Sequence, residues 1–147
     1  MGSQKNVLFL MIGEGDGLEG VDLPENFLLL GGRLREDVVK LMHLSDVFVL
    51  ASTQEDPFGM VVAEAMMAGT PVIVTSACGV SQYLTNQKDA IVIRPKSGSE
   101  IAENILRLYR NPGLRERLGS QGKETAEKEF TLERMIAELD KVFQGKV

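Results

Sequence analysis

Two carboxylates eight positions apart, Asp56 and Glu64, are the side chains best placed to do chemistry in this chain. They lie in the segment DPFGMVVAEAMMAGTP (56–71), where Glu64 is the only ionisable side chain between Pro57 and Thr70. Its apolar neighbours predict a helix that is buried on most sides. A carboxylate on such a helix needs a hydrogen-bond donor or an opening to water, because an unpaired charge away from water is costly.

Two interpretations of this segment are open. Asp56 followed by Pro57 is typical of a helix start, with Asp56 as the N-cap. In the first interpretation Asp56 is only a cap, and Glu64 forms an internal ion pair or reaches solvent. In the second, both carboxylates accept hydrogen bonds from ligand hydroxyls, and an anion meets the first backbone N–H groups of the helix. Those groups belong to Phe58, Gly59 and Met60. Spacing alone favours the first interpretation, because caps of this kind are common.

A glycine cluster between residues 13 and 20 contains the spacing GxGxxG at Gly15, Gly17 and Gly20. In a dinucleotide-binding domain this motif opens a helix whose N-terminus meets the pyrophosphate. Here the sequence VDLP (21–24) follows and does not start a helix, which disfavours that function. We expect a loop at the carboxyl end of a strand, the edge at which ligands lie in an open α/β sheet.

Short apolar runs alternate with segments of helical spacing along the first two thirds of the chain. Strands are predicted at 7–12, 27–30, 47–51, 71–75 and 90–94, and helices at 37–44 and 58–68, with a turn at 80–84. Runs without polar alternation indicate strands that are covered on both faces. The alternation predicts an α/β fold, a Rossmann-like doubly wound parallel sheet.

The last third of the chain predicts three helices and no further strand. Ser99 is expected to cap the first and Thr131 the last. The middle helix, 114–129, contains Gly119 and Gly122, which are expected to weaken it.

Composition narrows the function classes. The 147 residues are 44% hydrophobic and 25% charged, which predicts a single globular domain over residues 1–147. With a single cysteine, Cys78, the chain cannot form an internal disulfide, so a cytoplasmic compartment is expected. Cys78 and the single histidine, His43, are too few ligands for a zinc site. The sequence shows no catalytic partner beside either residue. A net charge of -5 disfavours nucleic-acid binding, and the longest wholly apolar run, six residues, predicts no transmembrane segment. No cleavable leader is visible.

The order of these motifs resembles the signature of the group 1 retaining glycosyltransferases of the GT-B fold. The similarity is carried by SDVFVLAS (45–52), DPFGMV (56–61), EAM (64–66) and GTPVI (69–73), and continues at TSACGV (75–80), FTLER (130–134) and FLLLGGRL (27–34). It covers nearly the whole chain. The resemblance implies the C-terminal, donor-binding half of a GT-B enzyme that transfers a glycosyl group from a nucleoside diphosphate sugar with retention of configuration. It implies neither a bound metal nor another cofactor.

The resemblance also assigns roles to particular residues. The family carries two glutamates separated by seven residues, matched here by Asp56 and Glu64. By similarity, Glu64 would accept hydrogen bonds from the ribose hydroxyls, and Asp56, at the catalytic position, would hold a hydroxyl of the donor sugar. The other positions expected to bind the donor are Phe58, Gly59, Met60, Gly31, Arg33 and Gly79. Contacts to the base near 31–33 can be made by backbone groups, so the sequence does not indicate which base is bound.

Some residues depart from the family pattern. Asp56 stands in place of the first Glu, and its shorter side chain draws the carboxylate back by about one carbon–carbon bond, so the ribose contact is better supported than the sugar contact. Glu55 lies one residue too far from Glu64 to substitute for it. Around Gly79 the family usually has a second glycine, a proline and a glutamate. Here the corresponding residues are Cys78, Ser81 and Gln82.

Parts of the family's active site are not encoded in these residues. The family's domain normally opens with a strand and helix that supply an Arg and a Lys to the departing diphosphate, and Lys5 and Arg33 do not stand in that context. The N-terminal domain that forms the other wall of the cleft is also missing. The isolated chain is therefore expected not to transfer sugar. The alternative is a non-catalytic module that binds a nucleotide or another chain, with self-association through an exposed apolar sheet edge.

Overall fold

The computed structural model describes residues 6–14, 18 and 20–145. The chain divides into two compact units, Met1–Leu41 and Met42–Val147. The elements in order are β1 (Phe9–Ile12), β2 (Phe27–Gly31), α1 (Arg35–Leu44), β3 (Phe48–Leu50), α2 (Met60–Met67), β4 (Val72–Thr75), a 3-10 helix (Gly79–Tyr83), β5 (Ile91–Ile93), α3 (Gly98–Arg110), α4 (Pro112–Glu129) and α5 (Leu132–Phe143). The strand pairs in the described residues are parallel, and from β2 onward helices alternate with the strands, so the predicted α/β class is confirmed.

The first unit contains a two-stranded parallel sheet. β1 pairs with β2 from Phe9 opposite Phe27 to Ile12 opposite Gly31, and the two phenylalanine rings stack with centroids 4.3 Å apart. Three of the four β1 residues and three of the five β2 residues are exposed. Our expectation that every apolar run forms a strand covered on both faces is therefore wrong for β1 and β2. The described part of their connection, residues 13–14, 18 and 20–26, contains no helix that could cover them.

The second unit contains a three-stranded parallel sheet in the order β3-β4-β5. Central strand β4 is buried along its whole length. The sheet packs against α2 on β3 and β4, against α3 on β5 and against α4 on β4. This packing forms an aliphatic core whose members are Ile73, Ile91, Ile93, Leu108, Leu114 and Leu118.

Two glycines of α4 allow it to lie close to the rest of the second unit. A Cβ on Gly119 would lie 2.3 Å from the Gly69 carbonyl oxygen, and a Cβ on Gly122 would lie 2.8 Å from the Asp89 carbonyl oxygen. Both glycines are buried in an unbroken helix of 18 residues. The expectation that they weaken this helix misses their role, because only a residue without a side chain permits these backbone contacts.

Side-chain caps define the starts of the last three helices. Ser97, rather than the predicted Ser99, caps α3, because its hydroxyl accepts a hydrogen bond from the Glu100 N–H at 3.4 Å. Ser99 lies inside the first turn. Asn111 caps α4, and Thr131 caps α5 as predicted, with its hydroxyl 3.3 Å from the Arg134 nitrogen.

Helix α5 differs from the other helices in having no buried residue. Its apolar side chains share one face and are exposed, from 46% at Leu139 to 83% at Phe143. Among the described residues, no helix combines the length and the apolarity that crossing a bilayer requires.

Candidate functional site

Helix α2 begins later than the sequence predicts. Asp56 is not its N-cap and Pro57 is not its first residue, because the helix starts at Met60 after Gly59, whose φ of 80° and ψ of 55° are left-handed. The Asp56 carboxylate instead accepts a hydrogen bond from the Phe58 N–H at 3.2 Å, two residues along the chain. Short acidic side chains favour this Asx turn. Residues 56–59 therefore form a separate loop before the helix, which we call the 56–59 loop. At the other end, Gly69 follows α2 in a left-handed conformation, as its position predicts.

The 56–59 loop is joined by three backbone hydrogen bonds to a second loop, residues 77–80, which runs into the 3-10 helix. The Asp56 N–H donates to the Ala77 carbonyl at 3.1 Å, and the Asp56 carbonyl accepts from the Gly79 N–H at 2.9 Å. The Phe58 carbonyl accepts from the Val80 N–H at 2.8 Å. These bonds fix the backbone of the loop before any ligand is present.

The predicted binding residues Gly59 and Gly79 are needed for the packing of these two loops. A Cβ on Gly79 would lie 2.2 Å from the Pro57 carbonyl oxygen. Gly59 is buried, and a Cβ there would lie 3.3 Å from Cδ2 of Leu50 and 3.7 Å from Sγ of Cys78, in addition to the strain of a positive φ. Both positions therefore require glycine independently of any donor contact.

The amides that were expected to meet an anion are not equivalent. The Phe58 N–H is already bonded to the Asp56 carboxylate, so the prediction that it is free for a ligand is wrong. The first amides of a helix have no partner within it, but at α2 the Val62 N–H is bonded to the Gly59 carbonyl at 2.9 Å. Met60, the first residue of the helix, is 61% exposed. An anion at this end of α2 would therefore meet the amides beyond Phe58.

Glu64 lies in the second turn of α2 and is half-buried. It is four residues from exposed Met60, so the two share one side of the helix. The buried side is formed by Val62, Ala63, Ala65 and Met66. Glu64 therefore lies on the less buried, open side of α2, one turn beyond the 56–59 loop.

Two residues that the sequence did not single out support Asp56. The Ser52 hydroxyl lies 3.5 Å from Oδ2 of Asp56, and the Ser52 carbonyl accepts a 2.8 Å hydrogen bond from the Thr75 hydroxyl. Thr75 is the last residue of β4 and is 1% exposed. The signal that could have found them is their position, since both stand where a parallel strand ends and ligands commonly bind.

Gly31 and Arg33, in the first unit, do not form one cluster. Gly31 ends β2 with a φ of 66°, and its carbonyl accepts a hydrogen bond from the Gly13 N–H at 3.1 Å. It lines an open depression of about 520 Å³, formed by Met11, Ile12, Gly13, Glu14, Leu18, Leu29 and Gly31. The Arg33 guanidinium does not line this depression and donates to the neighbouring Gly32 carbonyl at 3.0 Å. Gly15 and Gly17 of the GxGxxG spacing lie outside the described residues.

The other residues weighed for chemistry are separate from this arrangement. His43 is exposed in the last turn of α1, and Cys78 is 1% exposed beside Gly59. Within residues 6–14, 18 and 20–145, no group of three or more His, Cys, Asp or Glu side chains could hold a metal ion. The arrangement that remains is a preformed loop carrying Asp56, followed by a helix that presents Glu64 at its open side.

Sequence comparison relates this chain to sugar-transferring enzymes. The sequence model of the family described as "Glycosyl transferases group 1" matches residues 3–125. An uncharacterised glycosyltransferase of Methanocaldococcus jannaschii, MJ1178, is 30% identical over 145 residues, covering 92% of this chain and 40% of the relative. The lipopolysaccharide core biosynthesis glycosyltransferase LpsD of Rhizobium meliloti is 31% identical over 132 residues, covering 86% of this chain and 38% of LpsD.

Structural comparison gives the same relationship at the level of the fold. The crystal structure of HepE from Anabaena in complex with UDP-glucose matches 96% of this chain and 42% of HepE, with a TM-score of 0.80 and 21% sequence identity. The chain thus spans about two fifths of the length of these relatives.

Proposed function

Because the chain belongs to the group 1 glycosyltransferase family, we propose that it is the donor-binding domain of a retaining glycosyltransferase. In this proposal it holds the nucleoside diphosphate part of a nucleotide sugar, whose glycosyl group passes to an acceptor with retention of configuration. The observation that carries the proposal is the position of Glu64 on the less buried, open side of α2, one turn beyond a loop with fixed backbone. The spacing of Asp56 and Glu64 also follows the family's pair of acidic residues.

Glu64 is proposed to accept hydrogen bonds from the ribose hydroxyls. A carboxylate offers two oxygens, which suits two adjacent hydroxyl donors, and hydrogen bonds to a charged acceptor are stronger than neutral ones. The diphosphate is proposed to lie against the N-terminal end of α2, where amides and the helix dipole favour negative charge. Met60 lies at that end and is 61% exposed, so this end of α2 is open to solvent.

Asp56 has a smaller share in donor binding than the family's glutamate would have. One of its oxygens is bonded to the Phe58 N–H, and the other lies near the Ser52 hydroxyl. A sugar hydroxyl would therefore share the carboxylate with these groups. We propose that Asp56 orients the loop first and contacts the sugar second.

Sugar transfer needs groups beyond those described above. Charge that develops on the departing diphosphate must be stabilised, and removal of one such contact typically lowers the rate by about 100-fold or more. The chain spans only about two fifths of its relatives, and no Arg or Lys has been assigned to that task in this chain. We therefore propose that this chain alone binds a donor and does not turn it over.

Calorimetric titration with UDP, GDP and ADP tests donor binding. UDP is the first choice, because Anabaena HepE was crystallised with UDP-glucose. We expect Glu64→Gln to weaken binding of the preferred nucleotide by about 10- to 100-fold, the equivalent of one hydrogen bond to a charged group. Glu55→Gln, an exposed carboxylate next to the same loop, is the matched control and is expected to bind as the unaltered chain does. Equal binding by both variants would contradict the role of Glu64.

A second candidate function is a non-catalytic module that docks to another chain. The exposed apolar face of α5, with Met135 at 53%, Ile136 at 49% and Leu139 at 46% exposure, favours it. No binding heat with any of the three nucleotides, together with a dimer by light scattering, would support this function over the first.

A further inference from the structure

Three aromatic rings from distant parts of the sequence meet beside the 56–59 loop. Phe58 belongs to the loop, Tyr83 ends the 3-10 helix, and Phe130 follows the last residue of α4. The ring centroids of Phe58 and Phe130 are 5.7 Å apart, those of Tyr83 and Phe130 5.9 Å, and those of Phe58 and Tyr83 6.1 Å. Both contacts of Phe130 are edge-to-face, at 90° and 84°, an arrangement that adds attraction beyond the burial of area. We call these rings the aromatic triad.

Phe58 carries the one large apolar side chain of the 56–59 loop. Its neighbours in the loop are an acidic residue, an exposed proline and a glycine with a left-handed backbone. The backbone bonds to residues 77–80 fix one edge of the loop, while the ring of Phe58 is held by Tyr83 and Phe130. The order of the loop therefore depends on both attachments.

Phe130 is itself held from both sides, by the end of α4 and the start of α5. Its N–H donates to the Ala126 carbonyl at 2.9 Å. Across the turn, the Arg134 guanidinium lies 2.9 Å from the Glu129 carboxylate, and the Thr131 hydroxyl caps α5. The position of the Phe130 ring is thus set by the junction between the two helices.

We propose that Phe130 is a positioning residue for the 56–59 loop, acting through Phe58 with the support of Tyr83. The ring contact makes the order of the loop depend on the α4–α5 junction, so that a displacement of the start of α5 reaches the residues between Asp56 and Met60. The consequence for donor affinity rests on the proposed function, in which this loop binds the donor. The effect on the loop itself does not.

Amide hydrogen exchange of the ligand-free chain tests the proposal. In Phe130→Leu, which keeps an apolar side chain but removes the ring, we expect the hydrogen-bonded amides of Asp56, Phe58 and Val80, which hold the loop, to exchange about 2- to 10-fold faster, as loss of an aromatic contact implies. The amides of Ile73 and Val74 in buried β4 are expected to keep their rates. Phe130→Tyr retains the ring and should restore the slow exchange. The matched control is Phe143→Leu, at an 83% exposed phenylalanine of α5, which should leave all these rates unchanged.

Two results would overturn the proposal. One is unchanged exchange at Asp56, Phe58 and Val80 in Phe130→Leu. The other is an equal acceleration in the loop and in β4, which would show general destabilisation rather than positioning. If the unaltered chain binds UDP, its dissociation constant should rise by about the same 2- to 10-fold factor in Phe130→Leu and recover in Phe130→Tyr. If none of UDP, GDP and ADP binds, the proposed function is contradicted, and the exchange result still tests the role of Phe130.

Discussion

The two parallel sheets of this chain have similar residues and very different surroundings. β4 reads VIVT and is buried at every position, whereas β2 reads FLLLG and is exposed at Leu28, Leu29 and Gly31. Both sequences are runs that predict a buried strand. The difference teaches that apolar composition identifies a strand, while the elements packed on it decide whether the strand lies in a core.

The covering elements explain this contrast. The three-stranded sheet receives apolar side chains from α3 and α4, among them Leu108, Leu114 and Leu118, and packs against α2 as well. The described part of the β1–β2 connection supplies no helix. A two-stranded sheet with open faces is marginally stable by itself. We therefore expect core packing to contribute more to the stability of the three-stranded sheet than to that of the two-stranded sheet.

The largest difference should appear when the same truncation is made in each sheet. Ile73→Ala, at a fully buried position of β4, is expected to lower the free energy of unfolding by about 4 kcal/mol, because it removes buried methyl groups and leaves a cavity. Leu29→Ala, at a 55% exposed position of β2, should cost less than about 1 kcal/mol. Urea unfolding of both variants measures the two values. Equal losses would show that the two sheets are equally packed.

Two glycine substitutions test how closely α4 packs against the rest of the second unit. Gly119→Ala places a methyl group 2.3 Å from the Gly69 carbonyl oxygen and is expected to cost about 3 kcal/mol through overpacking. Gly98→Ala, at the first residue of α3 where nothing lies within 4 Å, is the control and should change stability by less than about 1 kcal/mol. Thermal unfolding compares the two. A neutral Gly119→Ala would contradict tight packing in the second unit.

A smaller effect is expected from the hydrogen bond between Thr75 and Ser52. Thr75→Val preserves the shape of the side chain and removes the donor, so we expect a loss of about 1.5 kcal/mol from the unpaired Ser52 carbonyl. Thr53→Val, at an exposed position of the same segment, should stay within about 0.5 kcal/mol. The denaturant midpoints of the two variants measure both losses of stability. Equal midpoints would show that the hydrogen bond from Thr75 does not stabilise the segment that supports Asp56.

The smallest expected effect is electrostatic and concerns the pKa of Glu100, in the first turn of α3. A hydrogen bond from the Arg94 backbone N–H, followed by one from its guanidinium, lowers the pKa of Glu100 below its ordinary value of 4.5. The stabilisation this gives is complete above the ordinary value and is lost as the pH falls through the lower, folded value. A carboxyl titration by NMR should show the depressed midpoint. Arg94→Ala should raise the midpoint but leave it below 4.5, because the backbone N–H remains, and a midpoint returned to 4.5 would contradict that cause.

Much of the fold could be predicted because its signals are local. Each of the five predicted apolar runs matches an observed strand, with ends that differ by at most two residues, and the predicted cap at Thr131 is read from adjacent residues. The start of α2 could not be predicted in this way. An Asp-Pro pair suits an N-cap and an Asx turn equally, and the left-handed Gly59 that decides between them packs against Leu50 and Cys78, which belong to other elements of the chain.

The candidate site likewise has a part that the sequence could predict and a part that it could not. Asp56 and Glu64 stand in one short motif, so their spacing and the helix between them were visible in the sequence. The contact of Gly79 with Pro57 and the aromatic triad join segments about 20 to 70 residues apart, and no periodic pattern relates them. Their roles follow only from the packed structure.

The location of the single thiol offers a practical measure of loop motion. Cys78 is the chain's one cysteine, and it lies 1% exposed behind Gly59 where the two loops join. An alkylating reagent can reach it only when the loops part, so its rate of modification reports how often they separate, with no engineered probe and no other sulfhydryl to confuse the signal.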